Sequence, residues 1–296
     1  MKRKEFLRLF SLLTVSGTMM PLNLIQKIQA NLEKTERMPV LFLGHGNPMN
    51  AITENVFTRG FRKMAEEIPK PKIILCISAH WETAGTFVTA MDHPRTIHDF
   101  RGFPAELYEV QYPAPGSPAF AKEIQELASG VSIGLDDQWG LDHGAWSVLK
   151  HLYPGAGIPV IQMSLDYRQP PEYHYNLGKQ LAGLREKGVL IVGSGNLVHN
   201  LGEVDWRNLD KFDYGFDWAL EAKAKMNQFI RDRNHNALIH FEKNGKAFEM
   251  AIPSPEHYLP LLYVLALQDD HDQIRLYNDL AVAGSLTMTS VKISPE

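Results

Sequence analysis

Five short runs in this chain are almost unbroken stretches of aliphatic and β-branched residues: PVLFL at 39–43, KIILCIS at 72–78, TFVTAM at 86–91, IPVIQMSL at 158–165 and VLIVGSG at 189–195. Successive side chains on a strand point to opposite faces, so a run without in–out alternation predicts a strand covered on both sides. Such strands need helices above and below them. The segments 117–130, 171–188 and 216–234 carry apolar residues at helical spacing, and the first two end on glycine, as helix C-termini commonly do. The order predicts an α/β fold: a single domain with a central, mostly parallel sheet flanked by helices, and an active site at the C-terminal strand ends. No Ser/Gly-rich linker or charge block divides the chain, so the domain is assigned to 38–296, after a separate N-terminal segment, 1–37.

That segment puts Lys2, Arg3 and Lys4 ahead of an uncharged stretch from Leu9 to Gln26, the order of a secretory signal. Ser11, Thr14, Ser16, Gly17 and Thr18 make it too polar to span a membrane. RKEFL resembles a twin-arginine export signal with lysine in place of the second arginine. The competing reading is a peripheral amphipathic helix ending near Pro21. A cytoplasmic location is expected, with the periplasm as the alternative if residues 1–30 act as an export signal.

The formal net charge is -4 and the basic residues are scattered, which leaves no electrostatic footprint for nucleic acid and favours small-molecule chemistry. Cys76, the only cysteine, sits in an apolar run, where it is expected to behave as a small buried hydrophobe.

The ends of the apolar runs carry the chemistry. PVLFL leads into Gly44, His45 and Gly46; KIILCIS leads to His80; VLIVGSG is followed shortly by His199. In open α/β sheets ligands bind beyond the C-terminal strand ends, so three imidazoles are expected on one rim. The glycines beside His45 remove side chains from both flanks and are expected to bare its ring. In IPSPEHYLPLLY, Ser254 suits a helix N-cap and Pro255 the first helical position, which places Glu256 and His257 in the first turn. His143, in LDHGAW, opens another helical stretch, where Asp142 either orients it or caps the helix. Neutral imidazoles are the commonest nitrogen ligands of iron, zinc and copper. A further segment, RTIHDFRGFPAELYEVQYPAPGSP at 95–118, has no clean period and reads as a long ordered loop or irregular hairpin; structured loops of this length tend to be functional. His98 within it is a candidate pocket residue. Trp81, Tyr112 and Trp146 either line a pocket or belong to the core. The remaining histidines sit in polar or helical surroundings. GSGNLV lacks the third glycine of a dinucleotide fingerprint, and Ser194 lacks the outer glycines of a nucleophile elbow.

Taken together, GHGNPMNAI, SAHW, the 95–118 segment, LDHGAW, VGSGNLVHNL and PSPEHYLPLLY make the chain, from about Pro39 to Ile293, similar to the class III extradiol ring-cleavage dioxygenases. The resemblance is to their LigB-like 4,5-DOPA dioxygenase branch. It implies one divalent metal per chain on His45, His80 and His257. Fe(II) is expected for activity, and Zn(II) in a purified or crystallised form. It makes His199 either a fourth ligand or the acid/base, and His143 a second catalytic histidine. His98, Trp81 and Tyr112 are the substrate-binding candidates. Protocatechuate-cleaving members of the superfamily use two histidines and a glutamate; here the third position falls at Glu256–His257, and the DOPA branch uses the histidine. The implied partners are a small-molecule catechol and dioxygen, with no nucleic acid, no membrane span and an oligomer as an option. The implied reaction opens the ring beside the diol to a muconic semialdehyde. Two rival readings keep the same histidines: a non-enzymatic binding protein of the Memo type, which shares the scaffold, and a zinc hydrolase, since three imidazoles and an open position also activate water.

Overall fold

The computed structural model describes residues 35–209 and 211–296. The signal and peripheral-helix readings of the N-terminal segment fall outside them. Residues 36–296 form one compact unit. Among the described residues no helix is long and apolar enough to cross a membrane.

The strands are β1 (Val40–Gly44), β2 (Ile73–Thr83), β3 (Thr86–Thr89), β4 (Ile133–Asp136), β5 (Val160–Asp166), β6 (Val189–Gly195), β7 (Asp272–Tyr277), β8 (Ala281–Val282), β9 (Leu286–Thr287) and β10 (Ser290–Pro295). The helices are α1 (Val56–Glu66), α2 (Ala105–Tyr108), α3 (Pro118–Leu127), α4 (His143–Leu152), α5 (Pro171–Gln180), α6 (Asp217–Arg231), α7 (His235–Ile239), α8 (Lys246–Ala251) and α9 (Leu259–Ala266). The main sheet runs β4-β3-β5-β2-β6-β1-β10-β7, and β8 and β9 form a separate ribbon. β5, β2, β6 and β1 are mutually parallel, and β10 and β7 extend the sheet antiparallel beyond β1.

The five apolar runs are all strands, and their lack of alternation has the expected cause. Val40 and Phe42 of β1, with Ile73, Leu75 and Ile77 of β2, face the side covered by α3, α5, α6 and α9. Leu41, Leu43, Ile74 and Cys76 face the other side, covered by α1 and α4. α9 is buried along its whole length. β2 runs past the apolar stretch, through His80 to Thr83, with a shift in its pairing to β5 between Ile77 and Glu82. Such irregularities re-aim side chains beside functional sites. The 171–188 helix is shorter than its pattern: α5 stops at Gln180, and a looser helical stretch continues to Gly188 in the left-handed region. β7 and β10 lie outside the five runs. On β7 buried ends flank exposed or half-buried residues, the pattern of an edge strand with little apolar signal.

Arg185 ties the edge strand β7 to the inner strands β6 and β1. Its fully buried guanidinium pairs bidentately with Asp272 at the start of β7, at 2.6 and 2.8 Å. It also donates to the carbonyls of Met38, just before β1, and Leu267, just after α9. Arg37 approaches the same carboxylate at 3.7 Å. Removing one partner of a buried pair strands the other charge, at a cost of about 3–5 kcal/mol. Asp272→Asn is therefore expected to lower the unfolding free energy by that amount, read as a lower urea midpoint at unchanged slope, while Arg185→Met combined with Asp272→Leu costs less than Asp272→Asn alone. A double variant worse than the single would show that the charges themselves stabilise the join.

Candidate active site

His45 follows β1 directly, and its N–H continues the parallel ladder by donating to the Gly195 carbonyl at 3.1 Å. The flanking glycines have a different purpose from the one expected. A Cβ on Gly44 would lie 2.6 Å from the carbonyl of Met288, and one on Gly46, whose φ is +61°, would lie 2.3 Å from the Met288 sulfur. They admit the 288 segment against the strand end. The same device recurs around the rim. A Cβ on Gly144 would lie 2.8 Å from the His80 ring, and one on Gly195 2.0 Å from the His257 carbonyl, which accepts the Asn196 N–H at 2.9 Å. Only glycine permits these approaches.

His257 reaches the rim from a turn, which corrects the expected helix start at Pro255. The N–H groups of Tyr258 and Leu259 both bond the Pro255 carbonyl, and α9 begins only at Leu259. A helix begun at Pro255 would place Pro260 in its interior, where the ring clashes with the carbonyl four residues back; in a helix begun at Leu259 it occupies the first turn, which suits it. Glu256 is consequently no helix-dipole partner. Its Oε1 lies 3.1 Å from His257 Nδ1 and accepts the Ser254 hydroxyl at 3.0 Å.

His45, His80 and His257 each bring a ring nitrogen into one group whose members lie within 4.8 Å of one another. His45 Nε2 and His80 Nε2 are 3.2 Å apart. The outer nitrogens fix what faces inward. Ser194 Oγ donates its single hydrogen to the Gly144 carbonyl at 2.6 Å, so at 3.0 Å it accepts from His45 Nδ1. His80 Nδ1 lies 3.5 Å from Asp99 Oδ2. With hydrogens on the outer nitrogens, the inner ones offer lone pairs to each other. Burial, followed by the neighbouring imidazoles, holds His45 and His257 well below the ordinary imidazole range. Burial and then His143 lower His80 to about 3. Second protons are thereby disfavoured, and lone pairs packed this closely fit a divalent cation.

His143 is the first residue of α4. Asp142 caps that helix through the Ala145 N–H and receives Ser78 Oγ and Gln162 Nε2. The residue that orients His143 is Asp99, at 2.9 Å from Nδ1 and 2.8 Å from the backbone nitrogen. Asp99 lies beside His98 in the loop, and a carboxylate next to a loop histidine carries no spacing signal in the sequence. His199 stacks face to face on His257, with centroids 3.5 Å apart, and lies outside the three-imidazole group. Burial lowers it to about 4.

His98 is not brought into the imidazole cluster. Its Nε2 donates to the Val110 carbonyl, and its ring packs on Phe100, Tyr108 and Trp146. Phe100 in turn meets the His143 ring edge-on at 5.5 Å. Trp81 stacks on Trp139, and Tyr112 is a core residue whose hydroxyl donates to the Tyr153 carbonyl. The 95–118 segment is tied down by Ile97 and Trp146, by Tyr112 and Thr96, and by Val160 and Pro115, and contains only the short α2.

Unfolding exposes buried imidazoles that the fold keeps neutral, so the unfolded chain binds more protons below its ordinary pKa of about 6.5. Stability of the metal-free protein is expected to be level above that pH and to fall as pH drops from about 6.5 towards about 4, where His199 protonates in the fold. Denaturant midpoints at a series of pH values check this; a flat profile between about pH 7 and 5 would contradict the burial of these rings.

A family model described as the catalytic LigB subunit of aromatic ring-opening dioxygenase matches residues 37–286. A 4,5-DOPA dioxygenase extradiol of Escherichia coli K12 is 44% identical over 260 residues, covering 87% of this chain and 95% of that protein. A 4,5-DOPA dioxygenase extradiol of Beta vulgaris is 36% identical, covering 86% and 95%. A crystal structure of an uncharacterized Escherichia coli K12 protein matches with a TM-score of 0.74 at 39% identity, over 87% of this chain and 100% of that one. Matched along nearly all of its catalytic fold, the chain belongs to the LigB family of aromatic ring-opening dioxygenases and is an oxidoreductase of that class.

Proposed function

We propose that the catalytic domain, residues 38–296, opens a DOPA-like catechol on the extradiol side of its diol, giving a muconic semialdehyde. His45, His80 and His257 are assigned as the ligands of one divalent metal. The observation that carries the reading is the inward-facing nitrogen cluster, with His45 Nε2 and His80 Nε2 3.2 Å apart. Fe(II) bound there supplies a chelation point for the diol and a path for electrons between it and dioxygen; Zn(II) fits the same nitrogens without that redox capacity. The names of the relatives support DOPA-like over protocatechuate-like catechols.

The chain's own groups divide the remaining work. His199, neutral near pH 7 because burial holds it at about 4, is assigned to take a proton from the catechol. His143, with Asp99 on Nδ1, has Nε2 left for a second proton transfer. Phe100, edge-on to His143 and packed on Phe103 and Tyr108, supplies an apolar wall. His98 braces that wall from behind, while Trp81 and Tyr112 support the rim from the core. Glu256 holds His257 rather than the metal.

Loading with Fe(II) without air, then adding DOPA-like catechols and air, is expected to give a visible semialdehyde absorbance; no product from any catechol would sink the reading. His257→Ala is expected to lose the metal. Glu256→Gln keeps an oxygen for the imidazole N–H and weakens binding about tenfold at most. His199→Ala is expected to retain metal while turnover falls by roughly 10²–10⁴. Metal content per chain alongside rate separates the three, and metal lost with Glu256→Gln but kept with His257→Ala would exchange the two assignments.

A further inference from the structure

Asp99 sits in the irregular segment between β3 and α3, and its carboxylate faces three nitrogens. Oδ1 accepts the backbone N–H of His143 at 2.8 Å; Oδ2 lies 2.9 Å from His143 Nδ1 and 3.5 Å from His80 Nδ1. The two rings so joined are close neighbours, with centroids 3.9 Å apart. A simple helix-capping role does not account for this. Asp142 already caps α4, and capping leaves Oδ2 unexplained.

We propose that Asp99 is a positioning residue that sets the tautomer of two histidines with different tasks, His80 as a metal ligand and His143 as a proton-transfer group. The proposal rests on the metal assignment made above. A carboxylate accepts hydrogen bonds and donates none, so His143 Nδ1 carries the hydrogen, and the negative charge 3.5 Å from His80 Nδ1 favours the hydrogen there as well. In the neutral rings Nε2 is then bare on both. On His80 that is the nitrogen facing His45 Nε2. On His143 it is the nitrogen free to accept a proton. The opposite tautomer would put a hydrogen between His80 and His45, and would set a lone pair of His143 against the carboxylate. One side chain therefore serves both ligation and proton transfer. Because Phe100 is the next residue, the same loop also places the wall against His143.

The test begins with the unaltered protein, carrying nitrogen-labelled histidine and loaded with zinc, examined by NMR. Hydrogen on Nδ1 of both His80 and His143 is expected; hydrogen on Nε2 of either overturns the proposal. If the unaltered protein takes up no zinc, the metal assignment fails, and the positioning role is then judged on the His143 tautomer in the metal-free protein. In Asp99→Asn one oxygen and one NH₂ face three N–H groups, and the NH₂ can only donate. Zinc affinity, read by competition with a chromogenic chelator, is expected to fall about 10–100-fold, with the His143 tautomers mixed. A folded Asp99→Asn protein with unchanged affinity and unchanged tautomers would overturn the proposal. Should that variant fail to fold, the spectra of the unaltered protein decide.

Discussion

When the outer nitrogens carry the hydrogens, His45 Nε2 and His80 Nε2 meet lone pair to lone pair at 3.2 Å, and the rest of the site bears on whether that contact persists. An imidazole can avoid such a meeting by changing tautomer or taking up a proton. The first exit is closed on the outer side, where Ser194, Asp99 and Glu256 each face an Nδ1. The second is closed by burial, which makes an imidazolium expensive. The divalent cation proposed for this site would satisfy what remains. In this way groups that are not ligands do as much to define a metal site as those that are.

The sheet makes the arrangement possible by bringing backbones unusually close at its C-terminal rim. β1, β2 and β6 lie side by side, so residues that follow them in sequence emerge together. What draws in the fourth participant, the turn bearing His257, is the absence of side chains on β6: Gly193 and Gly195 let the Pro260 and His257 carbonyls sit against the strand. A methyl group at either position would push the turn outward and carry His257 with it.

Much of this was legible in the sequence, and the reasons are specific. Strands covered on both faces leave a continuous aliphatic signature, and a histidine just past such a run is conspicuous. β7 was not legible because an edge strand needs little apolar surface, and β10, though paired on both sides, breaks its apolar run with Lys292, which meets Glu67. The true start of α9 was obscured by two prolines, each suited to a first turn; the deciding fact was that Pro260 tolerates a helix only if it starts late. Asp99 was invisible for another reason. Its role depends on two rings brought in by different elements, β2 and α4, and no local pattern records that meeting.

β1 lies between β6 and β10, paired through Val40 with Ile191 on one side and with Ile293 on the other. The partner on the second side lies some two hundred and fifty residues further along the chain. Until it is made, β1, the strand that delivers His45, presents an open, apolar edge to whatever is nearby, and Arg185 waits for the carboxylate of Asp272. Among the described residues, the sheet around that rim is thus completed by β10 only after every other strand has been made. A chain still lacking that strand has reason to depend on a chaperone to remain soluble.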